Sequence, residues 1–370
     1  MENSYITKRQ YALLVFFIPF VFKFSVLPSV LSLDAGRDIW ITMLLIMLTE
    51  LTQLAVVVKI DSMGGLEALR DKYGNIVYYA LTVPIMLTIV IKASVYTSET
   101  TSYANSYLFY NITTRGVGIV VIIVASYIAI KGAKGLGRLV EQITWLIPVA
   151  IVIGLLFGKL KLKPDNVLPI GAKGIVPIAN SFDNVLFWVL DFSPMLFLKT
   201  IEDVSLVKRK RSRFPWLPVL SVASAIFMVV LYLLYVMNYG QAGHVVNTAF
   251  SSLGAFNVVN TEIGSIDWPA ITLWLSVAII SLSLKLFGAG KVIASAKVKF
   301  PLAVTLVAIV VVVLGQFVFY NLERAFSFAT SFVKYLAIGI ELLVPFTAYI
   351  LLDIKERSSK KREEKIEATI

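Results

Sequence analysis

A chain of 370 residues that is 58% hydrophobic and only 15% charged, with a mean hydropathy of +0.82, cannot hide its apolar side chains in a water-soluble globule, which is usually about 45–50% apolar and about 25% charged. It reads as an integral membrane protein. Cysteine is absent and His244 is the single histidine, which leaves out disulfides, zinc fingers, iron–sulfur clusters, thiol nucleophiles and histidine-based triads, so no metal, cofactor or enzyme activity is expected.

Crossing the hydrocarbon core as a helix takes about 20 apolar residues. Ten stretches qualify: roughly 9–32, 39–60, 76–103, 115–131, 137–158, 179–203, 216–238, 268–288, 300–319 and 330–353. Their unbroken apolarity indicates helices, because barrel strands alternate apolar and polar over about ten residues. Span one has no small-residue cleavage site, so no cleaved leader is expected. It contains Pro19, Lys23, Ser25 and Pro28. After span two, Leu66, Leu69 and Tyr73 fall at helical spacing and predict a short amphipathic helix on the inner surface, with a solvated loop as the alternative. Gly132, Gly135 and Gly137 predict a tight turn between spans four and five; no strand precedes them, so a dinucleotide loop is rejected. Glu141 follows Arg138 at i+3, the spacing of an ion pair on one helix face. Span six contains Asn180, Ser181, Asp183, Asn184, Asp191 and Pro194. Residues 355–370 form a mixed-charge tail, either disordered or an extension of the last helix.

The net charge of +11 suggests nucleic acid on a soluble chain, but in a membrane protein it reports orientation. With the amino terminus inside, 24 Lys and Arg fall in the inner connections and tails and 8 in the outer ones, leaving Lys23 and Lys92 within spans. Both termini are therefore expected to be cytoplasmic, and no nucleic-acid partner is needed. The connection 159–178, with four lysines on the outer side, is the exception.

Ten helices divide into five plus five, repeat one about 9–158 and repeat two about 179–353, within one transmembrane domain spanning 1–370. An odd number per half sends the second half into the membrane with opposite polarity, which is an inverted repeat. The first helix of each half, spans one and six, is then expected to be discontinuous, since helix breakers and polar groups at membrane depth line cavities or are buried in protein. Ordinary proline kinks are the simpler alternative.

A charge within a span costs about 2.5–3.5 kcal/mol on insertion scales, so the intramembrane charges are the first site candidates. Lys23 and Asp191 sit near the two expected breaks and are placed to pair. Lys23 then replaces a sodium ion and Asp191 binds an ammonium or relays a proton; alternatively the two form a structural pair, or Lys23 snorkels outward. Half-helix N-termini offer N–H groups to a carboxylate and unwound carbonyls suit an ammonium, a combination matched to a zwitterion. The expected ligand lining is Phe22, Lys23, Phe24, Ser25, Asn180, Ser181, Phe182, Asp183, Asn184 and Asp191. Lys92, Tyr96 and Glu99 form a second tier, unless 96–103 is simply the wet outer end of span three. Glu50 and Glu341 read as buried hydrogen-bonding partners, and His244 as an ordinary outer-loop residue.

Several strings distributed over most of the chain carry a family likeness: LPSVLSLDAGRDIWITMLL (27–45), GGLEALRDKYG (64–74), TTRGVGIVVIIVASYIAIKGAKGLGRLVEQITWLIPV (113–149), ANSFDNVLFWVLDFSPMLFL (179–198) and IELLVPFTAYILLDIK (340–355). In order and spacing the chain resembles the GerAB-type spore germination permeases, the B subunits of germinant receptors, in the amino acid–polyamine–organocation superfamily. Two features depart from the family pattern: Lys23-Phe24-Ser25 stands where the superfamily carries small glycines, and KASVYTSET replaces its "R.F.E" string in span three. The resemblance implies a LeuT-like fold in a bacterial cell membrane or spore inner membrane. It further implies a nutrient ligand, usually an amino acid, and a large A-type and a lipoprotein C-type partner subunit. The expected function is a receptor subunit that binds a small nutrient in a transporter-like central pocket and triggers germination. A free-standing H⁺- or Na⁺-coupled amino-acid transporter is the alternative, and a structural or channel-like component without a ligand the third reading.

Overall fold

A computed structural model describes residues 5–24, 27–107, 113–146, 162–201, 215–245 and 268–367. Within them the protein is an all-α, multi-pass membrane protein. Six helices are long and apolar enough to cross a bilayer, and eight spans result if each of two bent helix pairs counts as one. Spans one and five of the expected ten make the difference. The helix of span one stops after 16 residues, and span five is described only as far as residue 146.

The chain starts with β1 (Tyr5–Thr7) and α1 (Lys8–Lys23), joined by a capping box in which Thr7 Oγ1 accepts from Gln10 N and Gln10 Oε1 from Thr7 N. α2 (Leu27–Ala35) and α3 (Ile39–Ser62) come next. α4 (Glu67–Tyr107) opens with the expected short helix, because Gly74 at φ +85° interrupts it ahead of span three. Leu66 and Leu69 are buried, and Tyr73 donates its hydroxyl to Leu351 O at 2.8 Å.

α5 (Thr114–Ile130) and α6 (Gly132–Thr144) meet at 116°. Gly132 at φ +79° makes the turn, but Gly135 and Gly137 lie inside α6, which corrects the expected three-glycine turn. Gly137 packs against the Gln10 side chain, which a Cβ there would strike. Glu141 engages Arg9 at 3.4 Å and Gln10 at 3.1 Å across the interface with α1. The expected Arg138 pair is not among the ion pairs of the described residues, because tertiary packing offers Glu141 nearer partners.

α7 (Ile175–Asn184) gives way to 3₁₀ turns at Leu186–Trp188 and Ser193–Phe197, and the chain bends by 61° between α7 and the segment Leu186–Phe197. β2 (Lys199–Ile201) then pairs in parallel with β1, Tyr5 opposite Lys199 and Thr7 opposite Ile201. Helical patterning extends span six to 203; the structure instead ends it in this ladder, which ties down the amino terminus. α8 (Trp216–Tyr239), α9 (Trp268–Ser295) and α10 (Phe300–Val313) are the next three helices, α10 running into a π-helical turn at Leu314–Val318. A short α11 (Leu322–Thr330) precedes α12 (Val333–Glu367), which carries most of the charged tail as helix.

α9 is the most buried span and packs on α1, α4, α5, α6 and α10. α1 packs on α8, and α4 on α12. Leu44, Leu45 and Leu48 on α3, Ile119 and Ile123 on α5, and Ile309 and Val313 on α10 face outward. Apolar faces of this extent are matched to lipid rather than water.

Candidate functional site

Among the described residues, α1 ends at Lys23 and span six leaves helical geometry between its 3₁₀ turns, and both places expose backbone groups that need partners, since none comes from lipid. At the end of α1, Trp274 Nε1 donates to Val21 O at 2.7 Å and the Tyr232 hydroxyl donates to Lys23 O at 2.6 Å. Between the 3₁₀ turns of span six the chain is extended at Val189 (φ −95°, ψ 156°) and left-handed at Leu190 (φ +66°). Its partners come from α3 and α4. Glu50 Oε1 accepts from Leu190 N at 3.1 Å and Asp191 N at 3.5 Å, Gln53 Oε1 accepts from Phe192 N at 3.0 Å, and Lys92 Nζ donates to Val189 O at 2.7 Å. Gln53 Nε2 also donates to Ser193 Oγ at 2.9 Å and Glu341 O at 3.2 Å.

These side chains form a cluster of three ammonium and three carboxylate groups. Lys23 Nζ lies 2.9 Å from Asp191 Oδ2 and 2.8 Å from Glu50 Oε1. Asp191 Oδ1 accepts the Tyr96 hydroxyl at 2.7 Å and faces Lys285 Nζ at 3.5 Å and Lys92 Nζ at 3.9 Å. Lys92 pairs closely with Glu341. All six ionic side chains are at most 2% exposed. Stripping ions of water costs several kcal/mol each, and the cost is offset only by close opposite charges and hydrogen bonds. Three positive charges against three negative ones meet that condition, apart from Glu50 Oε2, which has no hydrogen-bond partner. A fourth carboxylate, Glu99, accepts from Trp188 Nε1 at 2.7 Å.

The structure thus brings Lys23 into direct contact with Asp191, and places Lys92 and Tyr96 beside them. Phe24 stacks on Phe20 at 4.8 Å. Ser25 and the Phe22 side chain lie outside the described residues. The 180–184 group goes elsewhere. Ser181 bonds Thr42 across 2.7 Å, Asn184 Nδ2 donates to Asp34 at 2.8 Å, and Asp183 pairs with Lys334 at 2.5 Å and accepts from Tyr335 at 3.1 Å. Phe182 packs half-buried against the core, and Asn180 is exposed. These residues join α7 to α2, α3 and α12 instead of meeting Lys23.

Lys285 and Gln53 also lie at this cluster, although the sequence did not single them out. Counting Lys285 among the inner-loop lysines is corrected here, since it is buried in α9; its place inside the stretch 268–288 was the available signal. Gln53 lies three residues after Glu50, on the same face of span two. Among the described residues no group of His, Cys, Asp and Glu could hold a metal ion.

A family profile described as spore germination protein matches residues 5–324. No curated protein matches the sequence significantly. The chain belongs to the spore germination permease family.

Proposed function

From membership in that family, we propose that the protein is the membrane subunit of a germinant receptor that binds a small zwitterionic nutrient, an amino acid, at the Lys23–Glu50–Asp191 cluster and signals to partner subunits. The observation that supports this reading is the coincidence of six buried charges with the end of α1 and the break in span six. A zwitterion carries both charges that the cluster already balances. Its ammonium can face Glu50 where Lys23 does now, and its carboxylate can face Lys92 and Lys285 where Asp191 does now. Such an exchange preserves neutrality while pulling α1 away from span six, which links occupancy to movement of helices. The reading includes the five-plus-five inverted repeat, with spans one and six as its broken helices, both termini cytoplasmic, and A-type and C-type subunits as partners.

A free-standing transporter of the same ligand is the second reading. Lys23 supports it: its ammonium fills the space between two carboxylates where a coupling cation would bind, which favours protons over sodium.

A screen of amino acids, sugars and nucleosides against the purified protein, read as thermal shift, tests the binding function, because a ligand of the folded state raises its apparent stability. Asp191→Asn and Lys23→Met are each expected to change the ligand response without preventing membrane insertion. Wild-type responses in both variants would refute the central site. Proton-coupled uptake into proteoliposomes, together with normal germination of spores lacking the protein, selects the transporter.

A further inference from the structure

A cavity of about 500 Å³ opens at the end of the bundle opposite the amino terminus, between α2, α4 and α11. Its rim is exposed and includes Leu33, Ser106, His244 and Glu323. Its floor is buried: Ser29, Tyr103 and Glu99, the last only 3% exposed. The volume lies in the range of small-molecule sites, and none of the six central charges lines it.

The lining has one sign of charge. Its acidic members are Glu99 and Glu323, its one histidine is His244, and among the described residues no lysine or arginine lines it. The rest is hydroxyl or apolar, with two aromatic rings fixed by their neighbours. Tyr103 lies 4.2 Å from the Trp274 ring, and Phe326 lies 4.9 Å from the Trp188 ring. Trp188 in turn donates to Glu99 Oε1 at 2.7 Å, so the carboxylate is held in place by a neutral donor. A buried carboxylate beside aromatic faces attracts an organic cation by charge–charge and cation–π terms. A ligand carboxylate entering the same space loses its water near Glu99 with no lysine or arginine of the described lining to receive it, which is strongly unfavourable.

We infer that this cavity is a binding site for an organic ammonium ion with an apolar body, its nitrogen on Glu99 and its hydrocarbon against Tyr103 and Phe326. The site is separate from the central cluster and discriminates against the zwitterion of the same side chain. The inference goes beyond the function proposed above and does not depend on it.

The test uses the purified full-length protein in detergent with three probes that share an isobutyl group: isopentylamine, leucine and isovalerate. Binding is followed by tryptophan fluorescence, with Trp188 as reporter, and by calorimetry. Saturable isopentylamine binding is expected, roughly tenfold or more tighter than leucine, with isovalerate weaker still. Glu99→Gln keeps an acceptor for Trp188 and is expected to weaken the amine roughly tenfold or more. Ser102→Leu, which fills the cavity above an unaltered carboxylate, is expected to weaken it likewise; if Glu99→Gln does not fold, this variant decides. Leucine or isovalerate binding as tightly as the amine overturns the inference, as does the absence of saturable amine binding. Amine binding that survives Glu99→Gln but is lost in Asp191→Asn also overturns it, by assigning the amine to the central cluster. Failure of the amino-acid screen leaves these outcomes unaffected, so the two readings fail separately.

Discussion

Replacing Lys23 by Met keeps most of the length of the side chain and removes its charge. The consequences differ for its two partners. Asp191 retains the Tyr96 hydroxyl at 2.7 Å and Lys285 at 3.5 Å. Glu50 retains the N–H groups of Leu190 and Asp191, at 3.1 and 3.5 Å, but loses the ammonium at 2.8 Å, and its Oε2 has no hydrogen-bond partner to begin with. The cost therefore falls on Glu50. Removing one member of a buried pair costs about 3–5 kcal/mol, because the remaining charge is desolvated and uncompensated. Glu50→Gln in the same chain neutralises that charge and keeps an acceptor for Leu190 N, so the double variant is expected to recover about 2–3 kcal/mol of the loss. A residue of about 1–2 kcal/mol remains for the hydrogen bonds not remade. The assay is a double-mutant cycle on protein in mixed micelles, unfolded with SDS and followed by tryptophan fluorescence. A Lys23→Met protein as stable as wild type, or a double variant no more stable than Lys23→Met, would refute the assignment of the cost to an orphaned Glu50.

Three further outcomes are expected from the same measurement. Lys285→Met costs less than Lys23→Met, because Lys285 stands 3.5 Å from Asp191 where Lys23 makes two contacts under 3 Å; the reverse order would contradict the geometry. Leu190 and Lys297 both have left-handed backbones, at φ +66° and +69°, but Leu190 is fully buried and Lys297 exposed. Leu190→Gly therefore loses about 1–4 kcal/mol, burial outweighing relief of strain, whereas Lys297→Gly is neutral or gains up to about 1 kcal/mol. A Cβ on Gly315 would lie 2.9 Å from Ser94 O on the neighbouring helix, while Gly339 has nothing within 4 Å. Gly315→Ala is accordingly expected to cost about 1–3 kcal/mol, and Gly339→Ala to be neutral or stabilising by up to about 1 kcal/mol; equal effects of the two would count against close packing of the π-helical turn on α4.

The membrane class of the protein was written in its composition, since 58% hydrophobic residues have nowhere to go but lipid. The candidate charges were also legible, because an ionisable group in an apolar run is costly wherever the run folds: Lys23, Lys92, Glu50, Asp191 and Glu341 were all visible in this way. Lys285 was less so, since it lies near the end of its span and resembles a loop lysine by position alone. Sequence does not encode which charges meet. Glu50 and Asp191 are 141 residues apart, and their contact depends on span six leaving helical geometry at residues whose N–H groups then need an acceptor from α3. The polar residues 180–184 show the converse: their types suit a ligand, yet packing commits Ser181, Asp183 and Asn184 to α3, α12 and α2. Composition and hydropathy decide the solvent of each segment, because transfer from water to lipid is a property of the residue itself. Pairing is a property of the folded arrangement, in which a buried charge takes whichever partner the other helices bring within reach.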